Sequence, residues 1–369
     1  MQPQVTGESV GNSRVGRLRQ WLQGRRVGAF LITNLINIKY LTGFSGSSGY
    51  VLATGTSAGT SGCYFFTDFR YKEQSASEIS SCDIVITKHD PIKFIIKFIE
   101  DKKIKKLAIE DTLCLRSYKM LSKRFALEAL TDAVENIRMD KDEDELRHIK
   151  TAIQRAQTAL LDIKPRIRVG VTERAIASML ENGLKAQGVE KLPFEIIVAS
   201  GKYSSMPHAR PTDKALEKGD LLIIDWGGES GGYFSDMTRT FLIGGGNDLG
   251  RKKEIYDIVL KANVRARESI KAGQSASDVD RAARAVIKDA GFAQYFGHST
   301  GHGVGVEVHE KPYIAAVNKR QKIAENMVFT IEPGIYIPEL GGVRIEDMVC
   351  VNGQAAQTIT NLSRNLEIL

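Results

Sequence analysis

Three of the six histidines in this 369-residue chain, His298, His302 and His309, fall within the fourteen residues GHSTGHGVGVEVHE, 297–310. Imidazole binds metals and carries protons near neutral pH, but such a cluster also occurs in ordinary glycine-rich loops, so its surroundings decide its meaning. Two acidic segments flank it. In LLIIDWGGESGGYFSDMTRTF (221–241), Asp225 closes an apolar run and Asp236 follows eleven residues later, with GGESGG between them. In a hairpin turning at their midpoint the two carboxylates oppose each other, with Cβ atoms roughly 5 Å apart. MVFTIEPGIYIPELGGVRIEDMVCV (327–351) repeats the arrangement, with Glu332 and Glu346 equidistant from the turn PELGG.

Opposed, half-buried carboxylates repel unless some are protonated or a cation lies between them. Acids at strand ends that simply face solvent would be a fair reading of one hairpin. It is a weaker reading of two, because the offsets from Asp225 to Glu332 and from Asp236 to Glu346 are 107 and 110 residues. Four carboxylates with one imidazole make an oxygen-rich donor set, which favours manganese and can also hold cobalt or zinc. Two such ions about 3.5 Å apart can share carboxylates and convert a bridging water to hydroxide near neutral pH. No HExxH helix is present, so a thermolysin-type zinc site is not indicated.

The elements that must position these groups can be read from apolar spacing. The runs 27–32, 49–53, 63–67, 83–87 and 106–110 suit strands, and 91–106 has helical spacing behind Pro91. Residues 1–137 thus read as an α/β domain, and 138–369 as a second domain opening with a long amphipathic helix from 138 to 160. Inside the second domain, GVTERAIASMLENGLKAQG (170–188) and GQSASDVDRAARAVIKDAG (273–291) are helices of equal length closed by glycines, 103 residues apart. Each follows another helix (142–165 and 251–271), and each precedes strands. This offset predicts a two-fold duplicated domain with a cleft between its halves.

Composition is that of a soluble globular chain, 42% hydrophobic and 26% charged, with no apolar run of membrane-spanning length. The polar stretch 1–20 lacks a signal-peptide core and reads as a short disordered lead. Cys63, Cys82, Cys114 and Cys350 are scattered, which predicts no disulfide framework and a reducing, cytoplasmic setting. The net charge is +7, but the basic residues are mixed with acids and are not interleaved with aromatics, so nucleic acid is not an expected partner. The densest basic run, 102–106, reads as the end of a helix, where cations favour the dipole.

The stretches IDWGGESGGYFSDMTRTF, HSTGHGVGVEVHE, FTIEPGIY and GGVRIEDMV, in this order and spacing, resemble the pita-bread metallopeptidases: Xaa-Pro aminopeptidases, prolidases and methionine aminopeptidases. YLTGFSGSSGYV (40–51) and FFTDFRYKEQ (65–74) are similar to marks of the family's creatinase-like N-terminal domain, which methionine aminopeptidases usually lack. The resemblance implies an α/β (α+β) chain, with a creatinase-like domain followed by a pita-bread domain carrying an internal two-fold repeat. It implies two divalent metal ions held by Asp225, Asp236, His302, Glu332 and Glu346, with Asp236 and Glu346 bridging. It gives Glu332 the further task of carrying a proton, and Arg344 that of buttressing the acids. His208 and His309 would flank the scissile bond, and His298 would line the proline pocket. Ser299 replaces a more usual glycine and Trp226 a more usual phenylalanine, and the first change could narrow the pocket.

The implied activity is that of an Xaa-Pro aminopeptidase releasing the residue before proline. A prolidase acting on Xaa-Pro dipeptides is the alternative, and it would need a cation for the free carboxylate. A metal-free creatinase-like hydrolase or an inactive binding module is disfavoured, because no member of the ligand set is missing. The resemblance also implies proline-containing peptides as substrates. It implies a homodimer in which the N-terminal domain covers a partner's cleft, while the lack of a membrane-length apolar run predicts no membrane partner.

Overall fold

Short apolar runs between polar turns form the first sheet: β1 (Ala29–Ile32), β2 (Tyr50–Thr54), β3 (Gly62–Asp68), β4 (Asp83–Thr87), β5 (Lys106–Glu110) and β6 (Ala126–Leu130), in the order β4-β3-β2-β1-β5-β6. The pairs β1/β5, β5/β6 and β3/β4 are parallel, and β1/β2 and β2/β3 are antiparallel. Helices α1 (Arg14–Gln23), α2 (Leu35–Thr42), α3 (Lys72–Glu78), α4 (Pro91–Asp101), α5 (Leu115–Leu121) and α6 (Glu135–Arg138) complete this part. Asn34 and Asp90 cap α2 and α4 by accepting backbone N–H bonds that the first turn leaves open. The structure is a computed structural model that describes residues 13–25, 27–55, 62–88, 90–245 and 250–369. The chain divides into two units, Met1–Arg138 and Met139–Leu369.

Three expectations for the first unit need correction. The helix begun at Pro91 stops at Asp101, so the basic run 102–106 is not its last turn. Lys103 takes a left-handed φ of 56°, and Lys106 already opens β5. Cys63 and Cys82 form a disulfide, because the parallel pairing of Tyr64 with Asp83 brings their Cα atoms to 4.6 Å across β3 and β4. Cys114 and Cys350 are free. Of the polar stretch 1–20, residues from Arg14 onward are helical, and 1–12 lie outside the described residues.

The second unit opens with α7 (Glu143–Ile163), whose N-terminus is closed by a capping box between Asp142 and Glu145. It packs on α8 (Glu173–Ala186), as α9 (Gly250–Ser269) packs on α10 (Ala276–Asp289). Gly170 and Gly188 bound α8 with φ of 88° and 82°, and Gly273 and Gly291 bound α10 with 87° and 86°. The expected duplication is therefore present down to backbone conformation.

The strands of the first half are β7 (Ile197–Ser200), β8 (Leu221–Trp226), β9 (Glu229–Ser230), β10 (Tyr233–Phe234) and β11 (Met237–Leu242). Those of the second half are β12 (Gly301–Gly303), β13 (Glu310–Ile314), β14 (Val328–Ile331), β15 (Gly334–Ile337), β16 (Gly341–Arg344), β17 (Asp347–Asn352), β18 (Ala355–Thr358) and β19 (Glu367–Ile368). They form the sheets β19-β11-β8-β7 and β13-β12-β14-β17-β18, with two-stranded ribbons β9/β10 and β15/β16. Alternate residues enter two apolar cores. Leu222, Ile224, Met348 and Cys350 join α7 and α8, whereas Leu221, Val349 and Val351 join α9 and α10. Strands buried on both faces are the rule where helices cover a sheet, and they leave few places for charge. Among the described residues no helix is long and apolar enough to cross a membrane.

Candidate active site

The acids sit where the apolar strands end. On β8, Asp225 stands opposite Thr238 of β11, not opposite Asp236. The ribbon pairs Ser230 with Tyr233, so the hairpin turns on Gly231 and Gly232, whose φ values are 58° and 84°. Asp236, two residues before Thr238, therefore meets Asp225 on the diagonal of the same face, still within reach. In the second hairpin the expected opposition holds. Ile331 faces Asp347 on one side and Gly334 faces Arg344 on the other, which places Glu332 across from Glu346.

Hydrogen bonds join the two hairpins. The Glu346 N–H donates to the Thr238 carbonyl at 3.1 Å, and the Thr238 hydroxyl donates to Glu346 Oε2 at 2.7 Å. Arg344 donates to Asp225 Oδ2 at 2.6 Å, to the Thr238 hydroxyl at 3.0 Å and to the Tyr336 hydroxyl at 2.9 Å. Thr238 and Tyr336 escaped the sequence reading. Thr238 becomes visible only when the hairpin register is right, and Tyr336 only when β15 is paired with β16.

The histidines surround this group. His302, on β12, places Nε2 at 3.5 Å from Asp236 Oδ2 and 3.3 Å from Glu332 Oε1. Its Nδ1 lies 3.1 Å from the Gly303 carbonyl, which keeps the proton on Nδ1 and leaves the Nε2 lone pair facing the acids. The His309 ring meets that of His302 edge-on at 4.2 Å between centroids. His298 contacts the Tyr336 hydroxyl through Nε2 at 2.9 Å and the Ser299 carbonyl through Nδ1 at 2.8 Å. His208 lines the same cavity of about 570 Å³, whose apolar wall includes Phe194, Ile197 and Pro207. Ser299 is on that wall, and Glu195 and Arg210 add charge to it. Trp226 lies outside the cavity lining, buried with its indole N–H donating to the Ala156 carbonyl at 2.8 Å.

Electrostatics show what the cluster demands. Burial, then repulsion from Glu346, Asp225 and Glu332, holds the Asp236 carboxyl well above the usual range. Burial and then Glu332 and Asp225 do the same to Glu346, and burial raises Glu332. Burial lowers His302 and His298, and it brings His309 down to about 4, with His302 adding to the fall. Asp225 Oδ1 and Glu346 Oε1 are buried without a hydrogen-bond partner. Orphaned buried carboxylate oxygens are costly and call for a cation. Three overlapping groups bring ligand atoms within 4.8 Å of one another: Asp225, Asp236 and Glu346; His302, Glu332 and Glu346; and Asp236, His302 and His309. The residues present thus fit divalent ions. The grouping of His309 with Asp236 and His302 was not expected from the sequence.

The family described as Metallopeptidase family M24 matches residues 147–353, more than half of the chain and including every residue of this cluster. The chain belongs to metallopeptidase family M24. It is a metal-dependent hydrolase, with a Creatinase/Prolidase N-terminal domain matched over 14–139. The chain is 36% identical to an Xaa-Pro dipeptidase of Pyrococcus horikoshii, over 97% of this chain and 99% of the relative. Among solved structures, an Xaa-Pro dipeptidase from Bacillus anthracis is 37% identical with a TM-score of 0.91, covering 96% of this chain and 99% of that one. An X-Pro aminopeptidase from Thermotoga maritima is 36% identical with a TM-score of 0.86, covering 97% and 100%. This M24 chain therefore has the two-domain fold that the resemblance implied, a creatinase-type domain followed by the pita-bread domain.

Proposed function

We propose that this chain hydrolyses the peptide bond joining an N-terminal residue to a following proline, with Asp225, Asp236, His302, Glu332 and Glu346 holding two divalent ions. The observation that carries this reading is the buried acid cluster with its two unpartnered carboxylate oxygens beside the His302 lone pair. The oxygen-rich set favours manganese, with cobalt or zinc as substitutes. When bound, the ions supply Lewis-acid activation of a water and of the scissile carbonyl.

The chain's own groups do the rest. Arg344 and Thr238 hold Asp225 and Glu346 in place against their mutual repulsion. Glu332, whose carboxyl burial has raised, accepts the proton of the attacking water and passes it to the leaving proline nitrogen. His208 and His309 donate hydrogen bonds to the carbonyl oxygen as negative charge develops there. His298 and the apolar wall of Phe194 and Ile197 receive the proline ring.

Two relatives bearing a dipeptidase name and one bearing an aminopeptidase name support the shared bond specificity. A dipeptide adds a free carboxylate, and Arg210 offers a cation for it. That guanidinium lines the cavity and forms a direct, solvent-exposed pair with Glu195 at 3.1 Å. An exposed pair of this kind exchanges at little cost. Arg210→Ala is expected to raise KM for an Xaa-Pro dipeptide about tenfold, the scale of one charge-assisted hydrogen bond, and to spare the amidated dipeptide. Equal effects on both substrates would assign Arg210 no part in carboxylate binding.

The test of the main reading is product analysis with manganese-loaded protein on Xaa-Pro, Xaa-Pro-Xaa and Xaa-Ala peptides. Release of the first residue from proline peptides alone supports it, and equal cleavage of Xaa-Ala overturns it. Cleavage of the tripeptide separates an aminopeptidase from a strict dipeptidase. We also propose a homodimer, which sedimentation of the active protein at assay concentration checks; a fully active monomer rejects it.

A further inference from the structure

His302 of β12 pairs with Tyr313 and lies one residue before Gly303, which with Glu310 closes the six-residue loop 304–309, and His309 is the last residue of that loop. Gly303 of β12 faces Glu310 of β13, and the register shifts between His302 and Gly303. The Glu310 carboxylate lies inside this loop. A Cβ on Gly305 would fall 2.4 Å from Glu310 Oε1, and the Glu307 N–H points at Glu310 Oε2 from 3.4 Å. The loop is tied outward by the Phe234 N–H, which donates to the Gly305 carbonyl at 2.9 Å. Lys141, just before α7, reaches in and places Nζ 2.6 Å from Glu310 Oε1, with side chains 1% and 3% exposed. The Lys141 backbone is fixed in turn, its N–H donating to the Asn326 carbonyl at 3.3 Å.

An ion pair this deeply buried is poorly explained by stability, since desolvation offsets most of the attraction and an apolar pair often serves as well. It does fix geometry. A lysine anchored at the foot of α7 holds the residue next to His309, and through Gly303 it holds the residue next to His302. We propose that the Lys141–Glu310 pair is a positioning device that sets the His309 imidazole against His302, and hence against the scissile bond. The proposal rests on the reading of His309 as a group that meets the substrate.

The experiment compares Lys141→Met, Lys141→Arg, His309→Ala and the double variant Lys141→Met/His309→Ala, as full-length manganese-loaded protein on an Xaa-Pro peptide. Misplacing a catalytic group by about 1 Å costs up to about 100-fold. Lys141→Met is therefore expected to lower kcat by about 10- to 100-fold, to change KM less than about twofold, and to keep the metal content of the unaltered protein. Lys141→Arg should restore most of kcat. In the His309→Ala background, Lys141→Met should lower kcat no further, because the group it positions is gone. An equal fall in both backgrounds, or a fall that tracks metal loss, overturns the proposal. Should Lys141→Met not fold, Lys141→Gln, which keeps a polar partner for Glu310, carries the same comparison. If His309→Ala lowers kcat and the Lys141 variant does not, positioning fails alone. If His309→Ala leaves kcat unchanged, the reading of His309 fails first.

Discussion

Thorough metal removal is expected to abolish hydrolysis, and manganese or cobalt to restore it. Asp225, Asp236, Glu332 and Glu346 are brought together at the ends of strands whose side chains are buried, and Arg344 supplies one positive charge for four acids. Nothing in such a core benefits from their convergence unless more positive charge is bound there. The same imbalance predicts a pH signature in stability. The carboxyls of Asp236, Glu332 and Glu346 are raised in the folded chain. A raised carboxyl favours folding while it is protonated, and that contribution is lost as pH climbs from the ordinary carboxylate range through the raised value. Metal-free protein should therefore lose stability over that window, above roughly pH 4, where an unfolded carboxyl ionises. Ions bind the deprotonated acids, so their stabilisation grows in the same direction. A site filled at 100 times its Kd adds about 2.7 kcal/mol. Thermal unfolding with and without manganese at pH 5 and pH 8 checks this, with the larger rise in Tm expected at pH 8. Full activity in stripped protein, or an equal rise at both pH values, would remove the two-metal reading.

How much of this was legible in the sequence depended on whether local pattern or pairing decided it. The duplicated helices could be read because each ends on glycines that only a positive φ explains. The Glu332–Glu346 opposition could be read because the segment between them has one place to turn. The Asp225–Asp236 opposition misread the register by two residues. GGESGG offers several glycines to a turn, and the chain uses the last two, Gly231 and Gly232. Thr238 was lost with that register, although its hydroxyl touches both Glu346 and Arg344. The Cys63–Cys82 bridge was invisible for a related reason. Its partners meet across parallel strands, which nothing in a nineteen-residue spacing specifies. Lys141 lies in the charged run MDKDEDE, whose pattern carries no sign of burial, and only the fold shows it buried against Glu310.

His302→Ala and His309→Ala should separate a group that holds metal from one that acts on substrate. His302 directs Nε2 at two acids, 3.5 and 3.3 Å away, while the Gly303 carbonyl holds its other nitrogen. That ring has no hydrogen-bonding task left over for a peptide. His302→Ala is therefore expected to lower metal content and turnover together, with turnover recovering in part at high manganese. His309 keeps one edge against His302 and the other toward the cavity it shares with His208. Burial beside His302 brings its pKa down to about 4, so near neutrality it meets the substrate as a neutral donor. Removing one such donor typically costs about 100- to 1,000-fold in turnover. His309→Ala should show that loss with both metals still bound and KM little changed. The two rings are close enough that this assignment is exposed to a clear failure, since His309 can also come within ligand range of Asp236. Metal analysis beside kinetics decides it. If the His309 variant loses metal and the His302 variant retains it, their roles are exchanged, and the loop held by Glu310 positions a ligand instead of a donor.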